Sequence, residues 1–336
     1  MDDSYPETSV EELWDYQPLS TPVPITGQEW PVGTRPLVSI CCITHNHVNF
    51  IRDAIEGFLM QETSFPVEIL IHDDASTDGT AEVVREYEKK YPRLISAIIQ
   101  KENQYSQGIK PNQEFNLPRS AGKYIALCEG DDYWVKKTKI QQQFGWIEAD
   151  PSISCVSHDC WRIFDGDIQN GSRFPKRAKL RWDVEDLIDG RRFHTNTILF
   201  RKSSLPSAFL AHKVLSGDRL LFLYLAISGK ILHIDNVLSV YRINENGLSQ
   251  TLTYSQLKAD LLMPRYLSDF DPSFPVSRLR VAIYRTLFCY PRDVDKFDLV
   301  RAYLGYVFYS LISGVIFKRQ FFGGSKMFLR RLVRML

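Results

Sequence analysis

Several features that define special classes of protein are scarce or missing in this sequence. None of the six cysteines lies in a Cys-x-x-Cys pair, which favours buried, reduced thiols over a disulfide framework or a zinc site. The N-terminus has no basic segment followed by an apolar one, so we expect no signal peptide. The net charge is only +1, so we expect no nucleic-acid partner.

The remaining composition is that of an ordinary globular protein, with 44% hydrophobic and 24% charged residues. The length of 336 residues suits one sizeable core with appendages. We expect an N-terminal extension over residues 1–35 that drapes over the fold, a main domain over residues 36–250, and a helical region over residues 251–336.

Apolar, β-branched runs alternate with amphipathic helical patterns from residue 37 onward. We predict strands over residues 38–44, 67–71, 94–99 and 123–127, with helices between them. Such alternation predicts an α/β fold with a mostly parallel, Rossmann-like sheet flanked by helices. Ligands bind at the carboxyl ends of strands in such sheets. Polar clusters follow three of these strands, at residues 44–46, 72–74 and 129–132.

The second cluster begins a polar stretch, residues 72–80, directly after a strand. Adjacent residues of a strand point to opposite faces, so one of Asp73 and Asp74 can bind a base or ribose while the other ties down the following turn. Ser76, Thr77 and Asp78 are turn and cap residues. The stretch is equally consistent with a capped strand-to-helix turn that binds nothing.

The third cluster places Asp131 and Asp132 after an apolar strand. Burying such charge is costly unless a cation compensates it, and Mg²⁺ takes one or two carboxylates together with phosphate oxygens. An exposed acidic turn is the alternative, but the bulky Tyr133 and Trp134 that follow argue against it. Asp218 begins a later helix, where an isolated acid is by default a cap.

Together these stretches resemble the inverting glycosyltransferases of family 2, which have the GT-A fold, and bacterial enzymes of cell-surface polysaccharide assembly in particular. The resemblance covers about two thirds of the chain and is carried by residues 38–46, 73–80, 122–134 and 218. It implies a nucleotide-sugar-binding half over residues 36–135 and an acceptor half over residues 136–250. Asp74 or its neighbour would contact the nucleotide base. The implied nucleotide-sugar-binding residues are Thr44, Asn46, Asp73, Asp74 and Asp131.

The resemblance also implies two chemical roles. Asp132 would hold a divalent metal ion, Mg²⁺ or Mn²⁺, and Asp218 would be the general base. Residues 241–249 resemble a loop that closes over the donor diphosphate. That loop commonly has a histidine where this chain has Asn244, and His45 stands where a tyrosine is usual.

The implied reaction moves a sugar from a nucleoside diphosphate donor, a UDP-sugar in our prediction, to a hydroxyl of a saccharide or lipid-linked acceptor. A non-catalytic nucleotide-sugar-binding subunit is one alternative, but such a protein has no reason to keep several costly carboxylates. A metal-dependent nucleotidyltransferase is another. That class normally has a phosphate loop rich in Gly and Lys or Arg after its first strand, which residues 44–47 lack.

The C-terminus has an uneven charge. Residues 318–336 contain six basic and no acidic side chains, and Lys326, Arg330 and Arg334 recur every four residues beside apolar ones. This pattern predicts a helix lying on an anionic membrane, and hence a cytoplasmic protein attached peripherally to the inner face of the plasma membrane. The apolar run 302–317 is shorter than the roughly 20 residues of a spanning helix. The alternative is a helix packed on the protein or on a dimer partner.

Overall fold

A computed structural model describes residues 17–164, 167–175, 179–243, 252–291 and 293–335. The chain forms two compact units, which meet in sequence between Trp146 and Ile147. The second unit includes the C-terminal helices. The domain boundaries expected after residues 35, 135 and 250 stay predictions.

The first unit alternates strands with helices, as the sequence predicts. Four of its strands form a parallel sheet in the order β6, β2, β4, β5. β2 has the predicted bounds, whereas β4 and β6 extend to Asp73 and Glu129, into the polar clusters. The elements are β1 (Val23–Pro24), β2 (Val38–Thr44), α1 (Ile51–Leu59), β3 (Glu62–Thr63), β4 (Val67–Asp73), α2 (Thr80–Lys90), β5 (Ile95–Ile99), α3 (Leu117–Arg119), β6 (Tyr124–Glu129), β7 (Tyr133–Trp134) and α4 (Lys139–Ala149).

The central strand β2 is almost entirely buried, because helices cover both faces of a parallel sheet. α1 buries Ile51, Ala54, Ile55 and Phe58 at helical spacing. Gly57 of the same helix lies against β7, where an added Cβ would be 2.9 Å from the Trp134 amide nitrogen. This close approach requires glycine and fixes the strand that follows the third polar cluster.

The described part of the N-terminal extension packs on the first unit. β1 pairs antiparallel with β3, and Ile25 is fully buried. The Gln28 side chain donates a hydrogen bond of 2.6 Å to the Thr63 carbonyl. These contacts tie residues 23–28 to the first unit.

The second unit combines a mixed sheet with a helical C-terminal region. β12 runs parallel to β8 and antiparallel to β10, while β9 and β11 run antiparallel to β8. Its elements are β8 (Ile153–Phe164), β9 (Asp167–Phe174), β10 (Arg181–Trp182), α5 (Val184–Ile188), β11 (Leu199–Arg201), α6 (Gly217–Ser228), β12 (Lys230–Ile243), α7 (Tyr254–Leu257), α8 (Met263–Phe270), α9 (Val276–Cys289), α10 (Lys296–Ile312) and α11 (Arg319–Met335).

Aromatic side chains hold the last three helices together. Phe288 of α9 makes edge contacts with Tyr306 of α10 and Phe328 of α11, with ring centroids 5.2 and 6.2 Å away. Tyr303 stacks on Phe328 at 3.9 Å. One face of α11 therefore packs on the protein. The expected α/β fold with a helical C-terminal region is confirmed.

The cysteines agree with the expectation of buried thiols. All six cysteines are free, and five of them are buried, as small apolar side chains are. Across the ranges that the structure describes, none of the helices has both the length and the apolar character that crossing a bilayer demands.

Candidate functional site

The three polar clusters lie at one edge of the parallel sheet in the first unit. Thr44 at the end of β2 is in register with Asp73 at the end of β4. On the other side of β2, Ile43 is in register with Glu129 at the end of β6. The convergence expected from the strand order is therefore present, and this edge is the candidate site.

Both carboxylates of the second cluster bind the protein's own loops. Asp73 accepts hydrogen bonds from the Ser76 amide (3.0 Å) and hydroxyl (2.6 Å). Asp74 accepts hydrogen bonds from the amides of Gln104 (2.8 Å) and Tyr105 (3.0 Å). Each carboxylate thus fixes one turn at the sheet edge. The nucleotide-base contact expected of Asp74 or Asp73 stays a prediction.

The turn after β2 is bonded to the turn after β4. Asn46 has a positive φ of 55°, a conformation that asparagine tolerates better than most residues. Its side-chain oxygen accepts a hydrogen bond from the Thr77 amide (2.8 Å), and its own amide donates to the Ser76 hydroxyl (2.9 Å). The amide of Val48 donates to the Asp78 carboxylate (3.0 Å). Asn46 is thus held at the edge where the sequence placed a donor-binding residue.

The loop after β6 lies tightly against the end of β2. The Gly130 amide donates to the Ile43 carbonyl (2.9 Å), and a Cβ added at Gly130 would lie 2.5 Å from the Thr44 hydroxyl oxygen. Only glycine fits there without a shift. The end of β6 and this loop therefore hold Glu129, Asp131 and Asp132 at a fixed place near Thr44.

This loop concentrates negative charge. Burial raises the pKa of the Cys42 thiol well above its usual value, and the carboxylates of Glu129, Asp131 and Asp132 raise it further. The Asp131 carboxylate lies 3.9 Å from Nε2 of His47, whose Nδ1 is 3.2 Å from the Thr44 hydroxyl. Burial lowers the pKa of His47 although Asp131 opposes the effect, so the ring favours its neutral form.

The acidic loop fits a divalent cation. Glu129 and Asp132 each offer a carboxylate oxygen, and these atoms lie within 4.8 Å of one another. Asp132 is 1% exposed, and hard oxygen donors are the ligands of Mg²⁺ and Mn²⁺. The sequence singled out Asp132 but not Glu129. A predicted β6 that ended at residue 129, and not at 127, would have placed Glu129 in register with Ile43 and therefore at the candidate site.

Asp218 lies in the second unit, in the first turn of α6. Its Oδ1 accepts a hydrogen bond from the Arg219 amide (2.8 Å), and its Oδ2 lies 3.1 Å from Arg191. The side chain is about one third exposed and lines a cavity. The side chain is therefore held in place yet partly open to solvent, and the general-base role expected of Asp218 stays a prediction.

A buried acid supports the turn that leads into α6. Asp260 accepts hydrogen bonds from the amides of Leu215 and Ser216, both 2.9 Å, and from the Ser216 hydroxyl (2.6 Å). Burial raises the pKa of Asp260, against the effect of these bonds. No sequence pattern pointed to Asp260, because it lies far along the chain from Asp218. Of the expected closing loop, residues 241–243 end β12, while Asn244 and the residues to 249 lie outside the described ranges.

Comparison with known sequences gives a consistent result. Residues 39–205 match the family described as glycosyl transferase family 2. An uncharacterized protein of Mycobacterium tuberculosis is 34% identical over 212 residues, which is 63% of this chain and 60% of that protein. Escherichia coli WfaP, named a UDP-Glc:alpha-D-GlcNAc-diphosphoundecaprenol beta-1,3-glucosyltransferase, is 35% identical over 114 residues, 34% of this chain and 42% of WfaP. The chain thus spans less than two thirds of either relative.

Solved structures show the same fold. S. aureus TarS, residues 1–349 in complex with UDP-GlcNAc, superposes with a TM-score of 0.59 at 15% identity and covers 81% of both chains. A mannosyltransferase of Pyrobaculum calidifontis in complex with GDP-Man and Mn²⁺ gives a TM-score of 0.53 at 16% identity, over 95% of this chain and 88% of that one. At such identities the likeness shows the fold, which is the GT-A type expected from the sequence.

Proposed function

The chain belongs to glycosyl transferase family 2, and from this premise we propose that it is an inverting glycosyltransferase of bacterial cell-surface polysaccharide biosynthesis. It transfers a sugar from a nucleoside diphosphate donor, a UDP-sugar, to a hydroxyl of a saccharide or lipid-linked acceptor. The observation that carries the proposal is the acidic loop at the end of β6, where Glu129 and Asp132 lie side by side next to Thr44.

Each candidate residue has a role in this reaction. Thr44, Asn46, Asp73, Asp74 and Asp131 bind the donor. The acceptor oxygen forms a bond to the anomeric carbon as the bond from that carbon to the diphosphate oxygen breaks.

Asp218 takes the proton of the acceptor hydroxyl in the same step. A single displacement of this kind inverts the anomeric centre. Glu129 and Asp132 would hold Mg²⁺ or Mn²⁺, which supplies charge compensation for the diphosphate that leaves.

Ligand-induced stabilisation tests the donor class. Thermal unfolding of the full chain should be followed with UDP, GDP or ADP, each in Mn²⁺, Mg²⁺ or EDTA. A matching nucleoside diphosphate at a hundredfold excess over its Kd should stabilise the fold by about 2.7 kcal/mol, and the effect should depend on metal. The monophosphate of the same base is the control, because it lacks the diphosphate. If no nucleoside diphosphate changes the unfolding temperature in any metal condition, the donor class is wrong.

The proposal extends to peripheral attachment at the cytoplasmic face of an anionic membrane. One face of α10 exposes a stripe of large apolar side chains at helical spacing, the α10 stripe: Phe297, Val300, Leu304, Phe308 and Leu311. Exposed apolar patches of this kind mark interaction surfaces. On α11, Lys326, Arg330 and Arg334 are exposed, and residues 318–336 contain no acid. This charge favours anionic lipid as the occupant.

Neutralising the basic side chains of α11 tests the membrane contact. Each basic side chain near an anionic surface contributes about 1 kcal/mol, so Lys326→Gln, Arg330→Gln and Arg334→Gln together should weaken binding by about two orders of magnitude. Sedimentation with phosphatidylglycerol liposomes at low and high salt measures the liposome binding of the parent and the variant. The control replaces three exposed basic residues of the first unit, Lys89, Lys90 and Arg93, with glutamine. Membrane attachment is refuted if the parent stays in the supernatant at low salt.

A further inference from the structure

A cavity of about 250 Å³ lies in the second unit, lined by residues after α5, by the first turn of α6 and by the last turns of α9. A water molecule occupies about 30 Å³ in the liquid, so the cavity has room for a group of several heavy atoms. Its charged lining consists of Asp189, Arg191, Asp218, Arg219 and Arg285. Three guanidinium groups and two carboxylates thus share one cavity.

Both carboxylates are engaged by arginines other than Arg219 and Arg285. Asp218 pairs with Arg191 at 3.1 Å. Asp189 lies 3.5 Å from Arg278, which also pairs with Glu185. Within the described ranges, neither Arg219 nor Arg285 forms an ion pair with a carboxylate. The cavity therefore has an excess of positive charge.

Arg219 is the more deeply placed of these two arginines. Its Nη2 donates a hydrogen bond of 2.7 Å to the Ile188 carbonyl. Its Nε is buried and has no hydrogen-bond partner among the described residues. Burial lowers the pKa of Arg219, while nearby Asp260 and Asp218 favour its charged form. Since arginine keeps its proton in proteins, an anion in the cavity would offset the cost of burying it.

We propose that this cavity binds a phosphate or diphosphate group of the acceptor, held by Arg219 and Arg285 next to Asp218. The planar guanidinium fits phosphate oxygens in a two-point contact. Arg219 and Arg285, which pair with no carboxylate in the described ranges, suit a phosphate monoester, which carries a charge of about −1.5 to −2 at neutral pH, and the lining as a whole carries one net positive charge. The first turn of α6 adds the partial positive charge of a helix N-terminus. The assignment to the acceptor rests on the proposed role of Asp218.

Binding of inorganic pyrophosphate in EDTA tests the cavity apart from any metal-dependent donor site. Titration calorimetry on the full chain should show binding that Arg285→Gln weakens at least tenfold. Arg280→Gln is the control, because Arg280 lies on the same helix, donates to the Tyr309 hydroxyl at 2.9 Å and does not line the cavity. A second variant, Thr286→Asp, adds negative charge to the cavity lining and should weaken binding as strongly. Unfolding temperatures verify that each variant folds.

A second titration, with UDP and Mn²⁺, identifies the source of the phosphate. If the group belongs to the acceptor, Arg285→Gln leaves UDP binding within twofold of the parent. If Arg285→Gln weakens UDP as much as pyrophosphate, the cavity serves the donor and the acceptor assignment is wrong. If the parent does not bind pyrophosphate in EDTA, or Arg285→Gln binds it as the parent does, the anion site itself is refuted. Failure of UDP to bind the parent would instead contradict the proposed function, since the EDTA measurement does not depend on it.

Discussion

Replacing Asp132 with alanine should abolish metal-dependent binding of the donor diphosphate while the fold stays intact. Asp132 is 1% exposed and lies in the loop after β6 with Asp131, close to Glu129 at the end of that strand. Its removal takes away an oxygen donor and relieves repulsion between like charges. The metal-dependent stabilisation of about 2.7 kcal/mol expected for the parent at a hundredfold ligand excess should disappear. Calorimetry with Mn²⁺ and the matching nucleoside diphosphate measures the loss directly.

A matched control for this experiment is Glu82→Ala. Glu82 is an exposed acid in the first turn of α2 that pairs with Arg85 at 3.3 Å, and such surface pairs contribute little stability. The control variant should bind donor and metal as the parent does. Should Asp132→Ala also bind both with unchanged affinity, Asp132 is not the metal ligand.

Replacing Asp218 with asparagine should remove turnover but keep donor affinity. Asparagine has the same size and can still accept the hydrogen bond from the Arg219 amide, but it cannot take a proton from the acceptor. General-base catalysis contributes typically 10²–10⁴-fold, so kcat should fall by about two orders of magnitude or more. Steady-state assays with donor and acceptor saccharide give kcat, and calorimetry with the nucleoside diphosphate gives the affinity.

Asp269→Asn is the control for Asp218, because Asp269 is an exposed acid of the second unit that pairs with Arg265 at 3.8 Å and does not line the cavity. It removes the same charge and should leave kcat within a few-fold of the parent. A kcat of Asp218→Asn close to that of the parent would falsify the assignment. A large loss in both variants would point to a general loss of folded enzyme, and not to a proton acceptor at residue 218.

The sequence predicted the parallel sheet well, because buried parallel strands are short apolar runs that stand out from their surroundings. β2 was placed with its observed bounds, and the helical C-terminal region was also expected. Strand ends were harder to place. Asp73 and Glu129 still belong to strands, since backbone pairing with a neighbouring strand can extend into a polar segment.

The chemistry of the site was predicted less completely. Spacing along the chain pointed to Asp132 but not to His47. The His47 ring comes close to the Asp131 carboxylate only because β2 and β6 pair in the folded sheet. The cavity around Arg285 could not be predicted either, because its charged residues come from three separate segments of the chain. The predicted apolar face of α11 is partly used for packing, through Phe328, and α10 exposes an apolar stripe that was not predicted.

The hydrogen bonds that join the turns after β2 and β4 have a consequence for affinity. Ordering a flexible backbone costs about 1–2 kcal/mol for each residue, and a ligand that must order its own site binds correspondingly more weakly. Here Asn46, His47 and Val48 are fixed by Ser76, Thr77, Asp78 and Thr80. The conformational entropy of these three residues is therefore lost during folding, and not when a ligand binds. A change that loosens these bonds should therefore weaken binding of the proposed nucleotide donor even at a residue that never touches it.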